Sequence, residues 1–158
     1  MRAAVLTVSD AGSRGEREDT AGPAVAALLV EAGFEVVERA LLPDEPEQLS
    51  ARLRRWADDD GIALAVTTGG TGLAPRDRTP EATAAVLDYR VDGIAEAMRA
   101  AGLASTSMAM LSRGLAGVRG RTLIINLPGS ERGAHENLAP VLPVLRHAVE
   151  QLQGGGGH

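Results

Sequence analysis

GIALAVTTGGTGLAPRDRTPEAT, residues 61–83, begins as an apolar run, turns on Gly69, Gly70 and Gly72, and enters a helix. The run 61–68 lacks the polar alternation of a half-solvated strand, so it reads as a strand covered on both faces, as in a parallel sheet. AAVLTVS (3–9) and RTLIINL (121–127) repeat the pattern, while FEVVERALL (34–42) is more mixed and reads as a strand nearer an edge. Thr79-Pro80-Glu81 marks a helix start, with a cap, a proline in the first turn and an acid at the positive end of the dipole.

Helical periodicity fills the intervals. In 20–33, Val25, Leu28, Leu29 and Ala32 share a face, with Asp19 or Thr20 as cap and Gly33 as stop. In 46–59 the stripe is Leu49, Leu53 and Trp56, and Trp56 reads as a core anchor. Another helix covers 91–102, and 131–152 is helical with a break near Pro140 or Pro143. The order β-α-β-α-β-α-α-β-α predicts a single three-layer α/β/α domain with a mostly parallel sheet over residues 1–153. A flexible glycine-rich tail at 154–158 is expected to follow.

Composition removes several chemistries. The chain has 158 residues and a formal net charge of −5, with only Phe34, Trp56 and Tyr89 as aromatics, which argues against a nucleic-acid surface. There is no cysteine, and all 16 basic residues are arginine. Thiolate and Schiff-base nucleophiles and the P-loop lysine are therefore excluded. His135, His147 and His158 lack metalloprotease spacing. No apolar run approaches the roughly 20 residues of a membrane helix, and AAVLTVS is not followed by a cleavage site. A soluble, cytoplasmic protein is the expectation.

In parallel α/β sheets, ligands bind where strands end and helices begin. Four loops therefore matter. SDAGSRGEREDTAG (9–22) is long and polar; LPDEPE (42–47) sets Asp44 between two prolines; NLPGSERG (126–133) turns at Pro128-Gly129 and offers Ser130 to an anion or to a helix cap. The 67–83 loop is the most informative. Its glycines permit close backbone approach, Arg76 and Arg78 flank Asp77, and the helix opens at Thr79, a combination suited to phosphate. A carboxylate beside phosphate oxygens suits Mg2+. Each feature also has a plainer reading, as turn chemistry or an Arg–Asp surface network.

Together TVSD (7–10), DTAG (19–22), LLPDEPE (41–47), TTGGTGLAPRDRTPEAT (67–83) and LSRGLAGVRGRTLIINLPGS (111–130) resemble the MogA/MoaB family of molybdenum-cofactor biosynthesis, from Ala3 to about Leu152. The resemblance implies a molybdopterin-binding fold and transfer of AMP from ATP to the molybdopterin phosphate, with Mg2+ required and pyrophosphate released. By position, the family's two essential aspartates fall on Asp44 and Asp77, which are assigned to catalysis and Mg2+. Ser9, Asp10, Thr20 and Gly22 match the N-terminal substrate pocket; Gly69, Gly70, Thr71 and Gly72 match the glycine loop, joined there by Arg76 and Thr79; Pro128, Gly129 and Ser130 match the far wall. The resemblance further implies a homotrimer or hexamer and hand-over to a molybdate-inserting protein, with no nucleic-acid or membrane partner. The alternative is a catalytically silent, oligomeric molybdopterin-binding or carrier module.

Overall fold

The computed structural model describes residues 1–154. Its sheet has six strands in the order β2-β1-β3-β6-β5-β4, with β1 Arg2–Val8, β2 Glu35–Leu42, β3 Leu64–Thr68, β4 Tyr89–Arg90, β5 Ala116–Arg119 and β6 Thr122–Leu127. The first four in that order are mutually parallel, whereas β5 is antiparallel to both neighbours. β3 and β6 are buried throughout and β1 at all but its first residue, while β2, on an edge, alternates exposed and half-buried positions. The contrast between unbroken and mixed apolar runs thus maps onto position in the sheet.

The helices are α1 Asp10–Ser13, α2 Ala21–Glu31, α3 Pro46–Asp58, α4 Thr79–Ala84, α5 Asp92–Leu103, α6 Glu131–Leu138 and α7 Leu142–Leu152, with a 3-10 turn at Ser107–Leu111. Among the described residues, no helix is long and apolar enough to cross a membrane. Alternate strand residues face opposite layers. Val5, Val66 and Ile125 pack with α2, α5, α6 and α7, whereas Leu6, Ala65 and Ile124 pack with α3 and α4. The expected three layers are present. Trp56 is fully buried and its indole N–H donates to Glu38 Oε2 at 3.0 Å, which fits a core anchor.

The structure adds four short elements to the sequence reading and moves one cap. The one-turn α1, the 3-10 turn, β4 and β5 are additional. β5 and β6 form a two-residue hairpin whose first loop position is Gly120 at φ 58°, the positive φ that hairpin turns favour. Thr79 does not cap α4: Arg78 holds that position, and Thr79 is the first helical residue. The expected break in 131–152 falls between Leu138 and Leu142, with Pro143 in the first turn of α7. Of the 154–158 tail, only Gly154 lies within the described residues.

Candidate active site

Strands β1, β2, β3 and β6 end on the same edge of the sheet, and their loops enclose a cavity of about 610 Å3 beside a second of about 430 Å3. Ser9, Asp10, Thr20, Asp44 and Gly69 line the first, and Thr71, Gly72 and Pro128 line the second. Gly70, Asp77, Gly129 and Ser130 border both. Twelve of the fifteen residues picked from sequence therefore face one cavity or the other. Gly22, Arg76 and Thr79 line neither, and each has a different task.

Gly22 sits under the first loop. Its N–H donates to Asp19 Oδ1 at 2.9 Å, the second carboxylate oxygen accepts from Thr7 Oγ1 at 2.8 Å, and a Cβ at Gly22 would overlap both side chains. Glycine is required here for close packing. The Asp19 carboxylate, not the Thr20 hydroxyl, satisfies the start of α2.

Asp10 and Asp44 join two loops by reciprocal bonds: Asp10 N–H donates to Asp44 Oδ2 at 3.1 Å and Asp44 N–H to Asp10 Oδ1 at 3.0 Å. Arg76 crosses from the third loop and donates to both Asp10 oxygens at 3.0 Å and to Glu45 Oε1 at 2.9 Å. The guanidinium that the sequence suggests for phosphate is thus engaged with carboxylates. The two aspartates are held oppositely. Arg76 draws the Asp10 carboxyl below its ordinary range. Burial, and then the like charges of Asp10 and Asp77, push Asp44 up, against its hydrogen bond from the Asp10 amide and the opposing charge of Arg76.

The glycine loop is shaped by fold as much as by ligand access. Gly69 has φ 105° and a Cβ there would overlap the Val8 carbonyl oxygen; Gly70 has φ 70° and a Cβ would overlap Thr79 Oγ1 and come within 3.1 Å of Asp44 Oδ1. Thr79 N–H donates to Gly70 O at 3.1 Å, so the start of α4 anchors the loop. The Thr79 hydroxyl is buried without a hydrogen-bond partner, directly beneath Gly70. On the far side, a Cβ on Gly129 would stand 3.2 Å from Gly69 Cα, so the third and fourth loops meet backbone to backbone. Thr68 Oγ1 adds a 2.6 Å bond to Pro128 O.

Two residues with no role assigned from sequence support this arrangement. Asn126, buried on β6, donates to Thr67 Oγ1 at 2.9 Å and Thr83 Oγ1 at 3.0 Å and accepts from Leu115 N–H at 3.0 Å. Its signal was a polar residue inside an apolar run. Arg113 bonds to the carbonyls of Gly72 and Asp77. Among the described residues no group of three or more His, Cys, Asp or Glu side chains forms a metal cage. Asp44 and Asp77, which both line the first cavity, are the carboxylates that would hold a Mg2+ ion, with water and phosphate as its other ligands.

This chain matches the family model described as a probable molybdopterin binding domain over residues 4–147. It is 40% identical over 150 residues, 94% of its length, to the molybdenum cofactor synthesis protein cinnamon of Drosophila melanogaster. It is 39% identical over 152 residues to the molybdopterin adenylyltransferase of Helicobacter pylori strain J99, covering 95% of this chain and 86% of that one. Among solved structures, the molybdopterin biosynthesis enzyme MoaB of Thermus thermophilus superimposes with a TM-score of 0.92 at 58% identity, covering 97% of this chain and 96% of that one. The chain spans between 21% and 49% of the length of the larger curated relatives it matches.

Proposed function

Because the chain belongs to the family described as a probable molybdopterin binding domain, we propose that it is a molybdopterin adenylyltransferase acting in molybdenum cofactor biosynthesis. The observation that carries this reading is the shared border of the two cavities at Gly70, Asp77, Gly129 and Ser130. Two anionic substrates in adjoining cavities would meet there. An oxygen of the molybdopterin phosphate forms the new bond to the α-phosphorus of ATP; the bond from that phosphorus to the bridging oxygen breaks, and pyrophosphate leaves with the electron pair. No protein nucleophile is needed, which accords with a chain lacking Cys and Lys.

The protein's work is placement and charge compensation. The glycine-loop amides receive phosphate oxygens, and Ser130 supports the far wall while its Oγ accepts from Gly133 N–H at 3.0 Å. Arg76 contributes to phosphate binding by exchanging Asp10 or Glu45 for a substrate oxygen. Asp44 and Asp77 are the residues that would hold Mg2+, which when bound neutralises phosphate charge.

Incubating the purified chain with ATP, Mg2+ and molybdopterin should yield adenylylated molybdopterin and pyrophosphate, detected by chromatography. Binding of both substrates without product would favour the silent carrier instead.

We also propose a homotrimer, able to pair into a hexamer, that hands its product to a molybdate-inserting protein. The supporting surface is the apolar 3-10 turn, where Met108, Met110 and Leu111 are 65%, 67% and 47% exposed, beside Leu103 at 46%. Sedimentation at micromolar concentration should give a trimer or its multiple; a monomer overturns the assignment.

A further inference from the structure

We infer that Arg113, braced by Glu81, is a positioning residue: it grips the carbonyl side of the glycine loop and turns the loop's amides toward the second cavity. What those amides bind rests on the nucleotidyl-transfer reading above. The geometry of the grip does not.

Arg113 lies between the 3-10 turn and β5. Its backbone N–H donates to Thr71 O at 2.9 Å, its Nε to Gly72 O at 2.9 Å and its Nη2 to Asp77 O at 2.7 Å. Its Nη1 meets Glu81 Oε1 and Oε2 at 3.0 and 2.7 Å. One side chain therefore holds both ends of the segment that carries Asp77.

A trans peptide is planar, with each C=O antiparallel to the N–H that follows it. Fixing Thr71 O, Gly72 O and Asp77 O toward Arg113 points the N–H groups of Gly72, Leu73 and Arg78 the opposite way. Among the described residues, the amides of Gly70, Thr71, Gly72 and Leu73 donate to no protein acceptor. Gly70, Thr71 and Gly72 line the second cavity, and Arg113 lines neither cavity, as a brace behind the loop should. Successive free amides in a tight loop form an anion-binding concavity.

The side chain must be arginine for this task. Three acceptors in different directions match a rigid planar fork, whereas a lysine ammonium offers one nitrogen. Glu81 completes the fork, and the Arg113 hydrogen bonds hold its carboxyl below the ordinary range, so it stays ionised at neutral pH. The pair is more than a third exposed on both sides, where an ion pair adds little stability of its own.

Lysine replacement separates positioning from simple ion pairing. Arg113→Lys keeps the charge and can keep the contact with Glu81, so a structural ion pair would survive it. The test titrates the full chain with inorganic pyrophosphate and with ATP, each with Mg2+, by calorimetry. Positioning requires that Arg113→Lys and Arg113→Gln both weaken binding by about 10²-fold, the scale of a misplaced site, at unchanged melting temperature. Glu81→Gln should weaken it in the same direction by less, and serves if Arg113→Gln does not fold. Wild-type affinity in Arg113→Lys overturns the inference and leaves the adenylyltransferase reading standing. A wild-type chain that binds pyrophosphate yet forms no adenylylated molybdopterin sinks that reading alone, and the comparison of variants still judges Arg113. No binding by the wild type overturns both.

Discussion

Asp77→Asn and Asp44→Asn are each expected to lower adenylyl transfer by about 10²-fold or more while the protein stays folded. Asp77 borders both cavities, and its Oδ2 also accepts from Ala74 N–H at 3.0 Å. Asparagine retains an oxygen acceptor for that bond but loses the charge needed for Mg2+ and phosphate organisation. Asp44 likewise accepts from the Asp10 amide, which asparagine also permits. Its carboxyl is pushed above its ordinary range by burial, then by Asp10 and Asp77. The fold therefore disfavours the ionised form, and that destabilisation is present above the folded pKa and relieved as pH falls. At neutral pH Asp44→Asn should melt at or above the wild-type temperature. Titrated by NMR without Mg2+, the wild-type Asp44 carboxyl should take up its proton at a higher pH than an ordinary aspartate. Asp10→Asn, which removes a like charge, should move that titration downward. Turnover close to wild type in both asparagine variants would remove the two carboxylates from the mechanism.

Gly70→Val should abolish measurable binding of ATP with Mg2+ and also lower the melting temperature. The left-handed backbone at φ 70° costs a residue with a Cβ about 1–2 kcal/mol. The added carbon would overlap Thr79 Oγ1 and press toward Asp44, an overpacking of about 1–3 kcal/mol. The loop must then move, and with it the amide that borders both cavities. Gly70→Ala in a Thr79→Ala background removes the overlapped hydroxyl, so melting temperature should recover further than ligand binding. Calorimetric titration beside thermal melting separates the two effects. If Gly70→Val binds ATP as tightly as the wild type, the loop is only a turn and the ligand lies elsewhere.

The layers, the central strands and the loop edge were legible because each is written in local periodicity. β1, β3 and β6 are unbroken apolar runs, and parallel neighbours require that burial. β4 has two residues and β5 four, too short to carry a period, although glycine at 120 between AGVR and the run at 122–127 was a usable hairpin signal. In the site, residue types were readable and pairings were not. An arginine beside an aspartate at 76–77 suggests an anion site, yet with 21 acids against 16 arginines most guanidiniums find carboxylates within the protein. Arg76 reaches Asp10 and Glu45 in this way. Arg113 was less accessible still, since the loop acceptors it grips are backbone carbonyls, to which any residue type contributes equally.

The bonds that close the site have a kinetic consequence. Asp10 and Asp44 are 34 residues apart, Arg113 and Gly72 41, Thr68 and Pro128 60, and Arg76 and Asp10 66. Contacts across such separations carry the entropy of loop closure before they return any stability, so none can nucleate folding by itself. β1 must gain both parallel neighbours before its loop meets the other two, and the fourth loop arrives only with β6, the last of the six strands in chain order. Until β6 pairs with β3, the chain has helices and part of a sheet but an incomplete binding site. Ligand affinity in this protein is therefore a late event in folding, and its recovery after denaturation should lag the recovery of helical signal.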